Sequence, residues 1–270
     1  MTRSRLPTSS SSSPSLRDLA EDAFAYLPGP QVELERRPEF VLRNQPGGRP
    51  FHGNVLRPRL TDVDAAVSAA RAWFAARGRD AYLWAVADSS EPSDLAQQLL
   101  ERGLEPDELD PVYAGMILER EPASVDGVVA RKVENYKEAL AGAEIAWQSF
   151  AYTADQIEDA RASHRERYEL NKDYPGGDYF VAFIDGEVVG AGGAGYTDAG
   201  VYLAGGNVAE HARGRGVYRA LVRARWDEAV RRETPALVVQ AGAMSKPILE
   251  RLGFETVCEM LAFIDHASTR

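Results

Sequence analysis

The 270-residue chain has one cysteine, Cys258, which excludes an internal disulfide. That cysteine falls in an apolar stretch near the C-terminus, where a thiol reads as buried and inert. Only four histidines are present. They are scattered, so no metal-ligand cluster is expected. No apolar run approaches about 18 residues, the length a membrane-spanning helix needs. No apolar leader follows the N-terminus, so secretion is not indicated and a cytoplasmic location is expected. Positive charge is in deficit: 31 Lys and Arg stand against 41 Asp and Glu, for a net charge of −10. That balance argues against nucleic acid as a partner and is compatible with a cationic small acceptor. Two phosphate loops are also missing. There is no GxxxxGK[ST], and the third glycine of a dinucleotide fingerprint is replaced by Arg219.

What is present begins with an ordinary globular composition, 44% hydrophobic and 27% charged. The most informative stretch is Arg213-Gly214-Arg215-Gly216-Val217-Tyr218. An apolar, glycine-rich run, Val201–Val208, precedes it, and an amphipathic run, Arg219–Arg232, follows. The order is therefore strand, glycine-bearing turn, helix. The first turn of a helix carries N–H groups without intrahelical partners and the positive end of the helix dipole. Glycines allow close approach to the backbone, and two arginines add charge. Such a turn suits an anion, and a pyrophosphate is its natural ligand.

After this helix come an apolar run, Ala236–Gln240, a second helix start at Met244-Ser245-Lys246-Pro247, and Leu252-Gly253-Phe254. A final strand pattern runs from Thr256 to Ile264. Loop and ending together resemble the GNAT N-acetyltransferases, whose acetyl-CoA loop reads [Q/R]-x-x-G-x-[G/A]. Arg213 takes the first position and Gly216 the fourth, while Tyr218 stands where Gly or Ala is usual. The resemblance implies acetyl-CoA as co-substrate and no metal. Its pantetheine arm would pair with Gly206, Asn207 and Val208, and its pyrophosphate would take N–H groups from Arg213, Gly214, Arg215, Gly216, Val217 and Tyr218. It also implies a gap after this strand, entered by the acetyl group from one side and by an amine from the other. Ser245 can approach the cofactor arm or serve as a plain helix cap. The Val208 N–H is a candidate oxyanion donor. The tyrosine and asparagine usual near the leaving thiol are Leu249 and Gly242 here. The general base stays open: Glu210 and Tyr202 are candidates, with His164 and Tyr168 on the acceptor side.

The first half repeats the second. Gly53-Asn54-Val55, Trp73 and Val86 match Gly206-Asn207-Val208, Trp226 and Val239 at one constant offset. At that offset the loop becomes Leu60-Thr61-Asp62-Val63-Asp64-Ala65, which has lost its glycines and arginines, and its aspartates repel phosphate. The expected architecture is α/β (α+β): two tandem GNAT-like domains with a mixed, mostly antiparallel central sheet flanked by helices. A disordered Ser-rich tail is expected over 1–15, a degenerate copy over 16–122 and an acetyl-CoA-binding domain over 123–270. In the first copy, strands are read at Phe40–Arg43, Phe51–Arg57, Tyr82–Val86 and Val112–Leu118. Helices are read at Leu16–Leu27, after Thr61 or Asp62, and at Asp94–Arg102. In the second, Val128–Leu140 reads as a helix, Glu144–Phe150 as a strand and Ala154–Leu170 as a charged helix. Asp185-Gly186 marks a hairpin. The expected activity is transfer of acetyl to an amine on a small molecule. The alternative is a non-catalytic acyl-CoA-binding or interaction protein. Monomer and homodimer both stay open.

Overall fold

A computed structural model describes residues 13–266, so the tail expected over 1–15 falls almost wholly outside it. Ser15 is not tail: its side chain accepts from the Asp18 amide and caps helix α1 (Leu16–Asp22), which tightens into a 3-10 turn over Ala23–Ala25. Strands β1 (Glu33–Arg36), β2 (Val41–Asn44) and β3 (Gly53–Leu56) follow, then helix α2 (Val63–Ala75), β4 (Ala81–Ala87), helix α3 (Leu95–Glu101), β5 (Glu105–Pro106) and β6 (Val112–Leu118). The second half contains β7 (Val129–Lys132), helices α4 (Tyr136–Ser149) and α5 (Ala154–Asn171), β8 (Gly177–Ile184), β9 (Glu187–Tyr196), β10 (Val201–Val208), helix α6 (Val217–Arg231), β11 (Leu237–Ala241), helix α7 (Lys246–Arg251) and β12 (Glu255–His266).

The repeat is real in space. Both halves run strand, helix, parallel strand, helix, antiparallel strand. β3 lies parallel to β4 as β10 lies parallel to β11. Trp73 and Trp226 occupy equivalent buried positions on α2 and α6. Asp62 caps α2, and Val63, Ala66, Val67, Ala70, Trp73 and Phe74 are all buried, as a helical apolar stripe requires. Asp185 and Gly186 both have positive φ and close the β8–β9 hairpin.

All the strands form one sheet, ordered β1-β2-β3-β4-β12-β6-β11-β10-β9-β8-β7, with β5 beside β12. The last strand of each half has crossed over. β6 ends the first half but pairs with β11, and β12 ends the second half but pairs with β4. The two exchanged strands pair with each other. Helices α2, α3, α6 and α7 cover one face. On the other face α1 packs on Tyr202, Val238 and Cys258, α4 packs on β9 and α5 on α4. Here Gly115 is required: a side chain would meet Cys258 and the Ala20 carbonyl. Cys258 is buried, and burial pushes its thiol up to about 11.

Two expectations fail in the second half. Val128–Leu140 is not one helix: Val129–Lys132 is an edge strand paired with β8, and the Asn135 side chain accepts from the Glu138 amide to start α4 at Tyr136. Glu144–Phe150 is not a strand but the end of α4. Its short apolar cluster fits either element, and the cap at Asn135, nine residues before Glu144, decides. Likewise Pro50–His52 is a 3-10 turn, so the strand expected from Phe51 begins at Gly53.

Strand exchange has a thermodynamic consequence. β12 separates β4 from β6, and β6 separates β12 from β11, so neither half completes its sheet alone. Residues 123–270 expressed alone should give no cooperative melt by circular dichroism. Full-length protein should unfold in one transition, coincident by far-UV dichroism and tryptophan fluorescence. Two resolved transitions, or a folded isolated half, would contradict the dependence.

Candidate active site

The site forms where β10 and β11 part. They pair only at Val201↔Leu237 and Tyr202↔Val238. β11 then continues against β6 to Ala241, and β10 continues against β9 to Val208. A bulge between Ala204 and Asn207, with Gly205 at φ +60°, turns β10 away. Beyond it Ala209 donates its N–H to the Val189 carbonyl at 2.9 Å. By strand alternation the Val208 N–H therefore points to the side that β11 has vacated, as does that of Gly206. Asn207 faces β9 through its backbone, opposite Ala191.

Arg225 fixes the bulge. It is fully buried on α6 and donates to the carbonyls of Leu221 at 2.9 Å, Gly193 at 3.1 Å and Gly205 at 3.2 Å. Burial lowers its guanidinium pKa to about 10, so it stays charged. Sequence reasoning missed it, although its signal was visible: Arg225 interrupts the apolar face that Leu221, Val222, Trp226 and Ala229 define. At the repeat offset the first copy has Ala72.

At the end of β10 a short turn, Glu210–Ala212, leads into the loop. Gly214 and Gly216 have φ of +76° and +83°, which a side chain rarely adopts. A Cβ on Gly216 would lie 2.6 Å from Val125 of the segment joining the halves. Helix α6 starts at Val217 with no side-chain cap, so its first N–H groups remain available. Arg213 and Arg215 are exposed, and neither has an ion pair among the described residues. Arg219, which the sequence analysis did not assign, belongs with them: its guanidinium lies 3.7 Å from where a Gly216 Cβ would be. Tyr218 turns inward and its ring packs on Gly206. This explains the departure at that position, because the bulky ring takes the place of a side chain on the strand.

The opposite wall is the turn after β11. The Ser245 hydroxyl donates to the Gly242 carbonyl at 3.2 Å and makes no cap. Asp110, from the first half, accepts from the Ala243 amide at 3.1 Å and fills the space beside Gly242. Leu249 is fully buried, so its position presents no proton donor. Tyr202 is buried, edge-on to Phe24 at 5.3 Å, and burial raises its hydroxyl pKa. It therefore stays protonated and is no base at neutral pH. Glu210 is exposed on the approach to the loop. His164 and Tyr168, expected on the acceptor side, belong to a helix–helix contact. Their rings lie 5.5 Å from Tyr136, with Trp147 5.8 Å from His164, and they dock α5 on α4. Among the described residues no group of His, Cys, Asp and Glu could hold a metal, and no helix is long and apolar enough to cross a membrane.

The first copy lacks this opening. After β3 and β4 the two segments close on each other: Glu91 donates to the Pro58 carbonyl at 3.1 Å and Leu60 to the Glu91 carbonyl at 2.8 Å. The N-terminus of α2 is taken by Asp62, which accepts from the Ala65 amide at 2.9 Å.

Residues 143–254 match the model of the acetyltransferase (GNAT) family. That part of the chain is a GNAT domain. Solved structures agree in fold across both halves. The tandem GNAT protein from the clavulanic acid biosynthesis pathway, solved without AcCoA, is 17% identical over 91% of this chain and 86% of its own, with a TM-score of 0.62. A GCN5-related N-acetyltransferase from Kribbella flavida is 19% identical over 93% and 95%, with a TM-score of 0.65. A functionally unknown protein from Staphylococcus epidermidis is 11% identical over 87% and 94%, again at 0.65. No curated protein matches this chain by sequence.

In the closed first copy, α1 brings Asp22 close to Arg57. Asp22 is buried, and burial, with Glu21 beside it, raises its carboxyl to about 7. The native state thus keeps a proton that the unfolded chain releases above about pH 4, so stability falls as pH rises from about 4 to 7. Asp22→Asn should remove this loss. Its advantage over wild type in urea melts should grow across that window by roughly 4 kcal/mol at most. An advantage independent of pH would mean the carboxyl is not held protonated.

Proposed function

We propose that the protein transfers an acetyl group from acetyl-CoA to an amine on a small molecule, by direct attack of the amine on the thioester. The observation that carries this reading is the open strand end of β10 leading into an uncapped helix N-terminus among three unpaired arginines. The pyrophosphate would sit on the N–H groups of the 213–218 turn, with Arg213, Arg215 and Arg219 around it. The pantetheine arm would run along Gly206–Val208 in the space that β11 has left. The outward N–H of Val208 would then face the thioester oxygen as it gains charge. The thiolate would leave toward the turn at Gly242–Ser245, where Leu249 supplies no proton, so water would take up the proton that the attacking amine loses and supply the one that the thiolate gains.

Leu249 also supports a second reading, an acyl-CoA-binding protein that turns over no amine. Calorimetric titration with acetyl-CoA and CoA tests the shared part. Binding near the micromolar range is expected, weakened at least tenfold in Gly216→Asp and Arg213→Glu. Unchanged affinity in both variants would sink the loop assignment. Release of free thiol with a panel of amines then separates the two readings.

A further inference from the structure

The acceptor has to reach the bulge from the face that α6 does not cover. There Ala204 and Gly205 are exposed although β10 is an interior strand, and the residue paired with Ala204 is Gly193. The floor of this region therefore carries almost no side chains. Its surroundings come from both halves.

We propose that the acceptor amine also carries a carboxylate, and that Arg43 of the first copy binds it. The proposal rests on the transferase reading for the place of the amine, while the anion site rests on its own geometry. Arg43 is only 4% exposed. Its guanidinium stacks 4.7 Å from the Phe24 ring, and Phe24 in turn meets Tyr202 where β10 leaves β11. Nη2 donates to the Gln45 side chain at 2.7 Å and Nη1 lies 3.4 Å from that of Asn54. Nε has no partner among the described residues, and no carboxylate pairs with the guanidinium. A buried guanidinium ordinarily has an acid beside it, because desolvation is costly.

The neighbours repeat the pattern. Arg79 donates to the side chain of Asn44 and to the Gln45 carbonyl. Arg49 donates to the Phe150 carbonyl at 3.2 Å and lies over Tyr152, which ties this cluster to the α4–α5 connection. Arg167 donates only to the Ala160 carbonyl, and its Nε is unpartnered. Burial and the charges of Arg79, Arg43 and Arg167 push His52 down to about 4, so it adds no charge of its own. In a chain of net charge −10, four arginines without an ion pair to any described residue lie around one region. A planar fork with an open donor suits a carboxylate.

The test uses product mimics on the full-length protein: N-acetylated amino acids and their matching carboxamides, titrated by calorimetry and thermal shift with saturating CoA. At least one acid should bind and raise the melting temperature, and its amide should bind at least tenfold more weakly. Arg43→Gln should lose that preference, and Arg43→Lys should keep part of it. Acetyl-CoA affinity, measured on the same samples, is the folding control and should not change. If no acid binds wild type, if amides bind equally, or if Arg43→Gln keeps the preference, the proposal is wrong. If Arg43→Gln weakens acetyl-CoA itself while the protein stays folded, the cluster serves the cofactor, and the proposal is again wrong. Failure of wild type to bind acetyl-CoA would instead overturn the transferase reading.

Discussion

β10 hydrogen-bonds to β11 only as far as Tyr202, and the geometry of the candidate site depends on that limit. Two parallel strands in one sheet ordinarily continue together, because every unpaired N–H and C=O is a loss. Here the parting is enforced. The bulge at Gly205 adds a residue and local twist to β10, and Arg225 spends three donors on carbonyls around it. A charge buried without an acid is expensive. Charge-assisted bonds to carbonyls, each worth about 1.5–3 kcal/mol, offset that cost. The backbone groups released on the open side of β10 are then free for a ligand.

The two copies show what happens when the same element order lacks that device. With Ala72 in place of the arginine and no bulge, the first copy's gap is closed by its own chain at Pro58, Leu60 and Glu91. Asp62 occupies the helix N-terminus that would otherwise hold an anion. The first copy still builds the second copy's site. Its last strand, β6, is the partner that keeps β11 straight as β10 turns away. Asp110, just before β6, ties down the far wall at Ala243. The exchange of last strands therefore makes the first copy part of the candidate site's frame.

Much of this was legible in local sequence. The glycine and arginine spacing of the loop, the apolar stripe of α2, the Asp185-Gly186 turn and the repeat each depend on residues close in the chain. The failures also have local causes. A four-residue edge strand such as β7 carries too few residues to show a period. The apolar cluster at Ile145–Trp147 fits a strand unless the cap at Asn135 is weighed first. Strand exchange was out of reach, because Val112–Leu118 reads the same whether it closes its own half or the other. Arg225 lay between: a charge on an apolar helix face is visible in sequence, but the carbonyls it meets belong to a bulge that only the fold creates.

Net charge was the least informative quantity, and the arginines explain why. A total of −10 describes the field far from the molecule, whereas recognition depends on which charges are left without partners nearby. Many of the described arginines are paired with acids, such as Arg131 with Glu138 or Arg71 with the buried Asp265. Arg225 is fully buried and gives Nε and Nη1 to backbone carbonyls, which ties it to the bulge, while its Nη2 has no partner among the described residues. Arg213, Arg215 and Arg219 are unpaired but solvated, which costs little and suits a phosphate arriving from solution. Arg43, like Arg225, combines burial with an open donor, but its guanidinium bonds only to side chains and not to backbone carbonyls, and such a combination persists only where the rest of the fold offsets its cost. In an acidic chain an acid could easily have been placed beside it. That none is there distinguishes Arg43 from the arginines paired with acids and supports the proposed anion site on the face above the bulge.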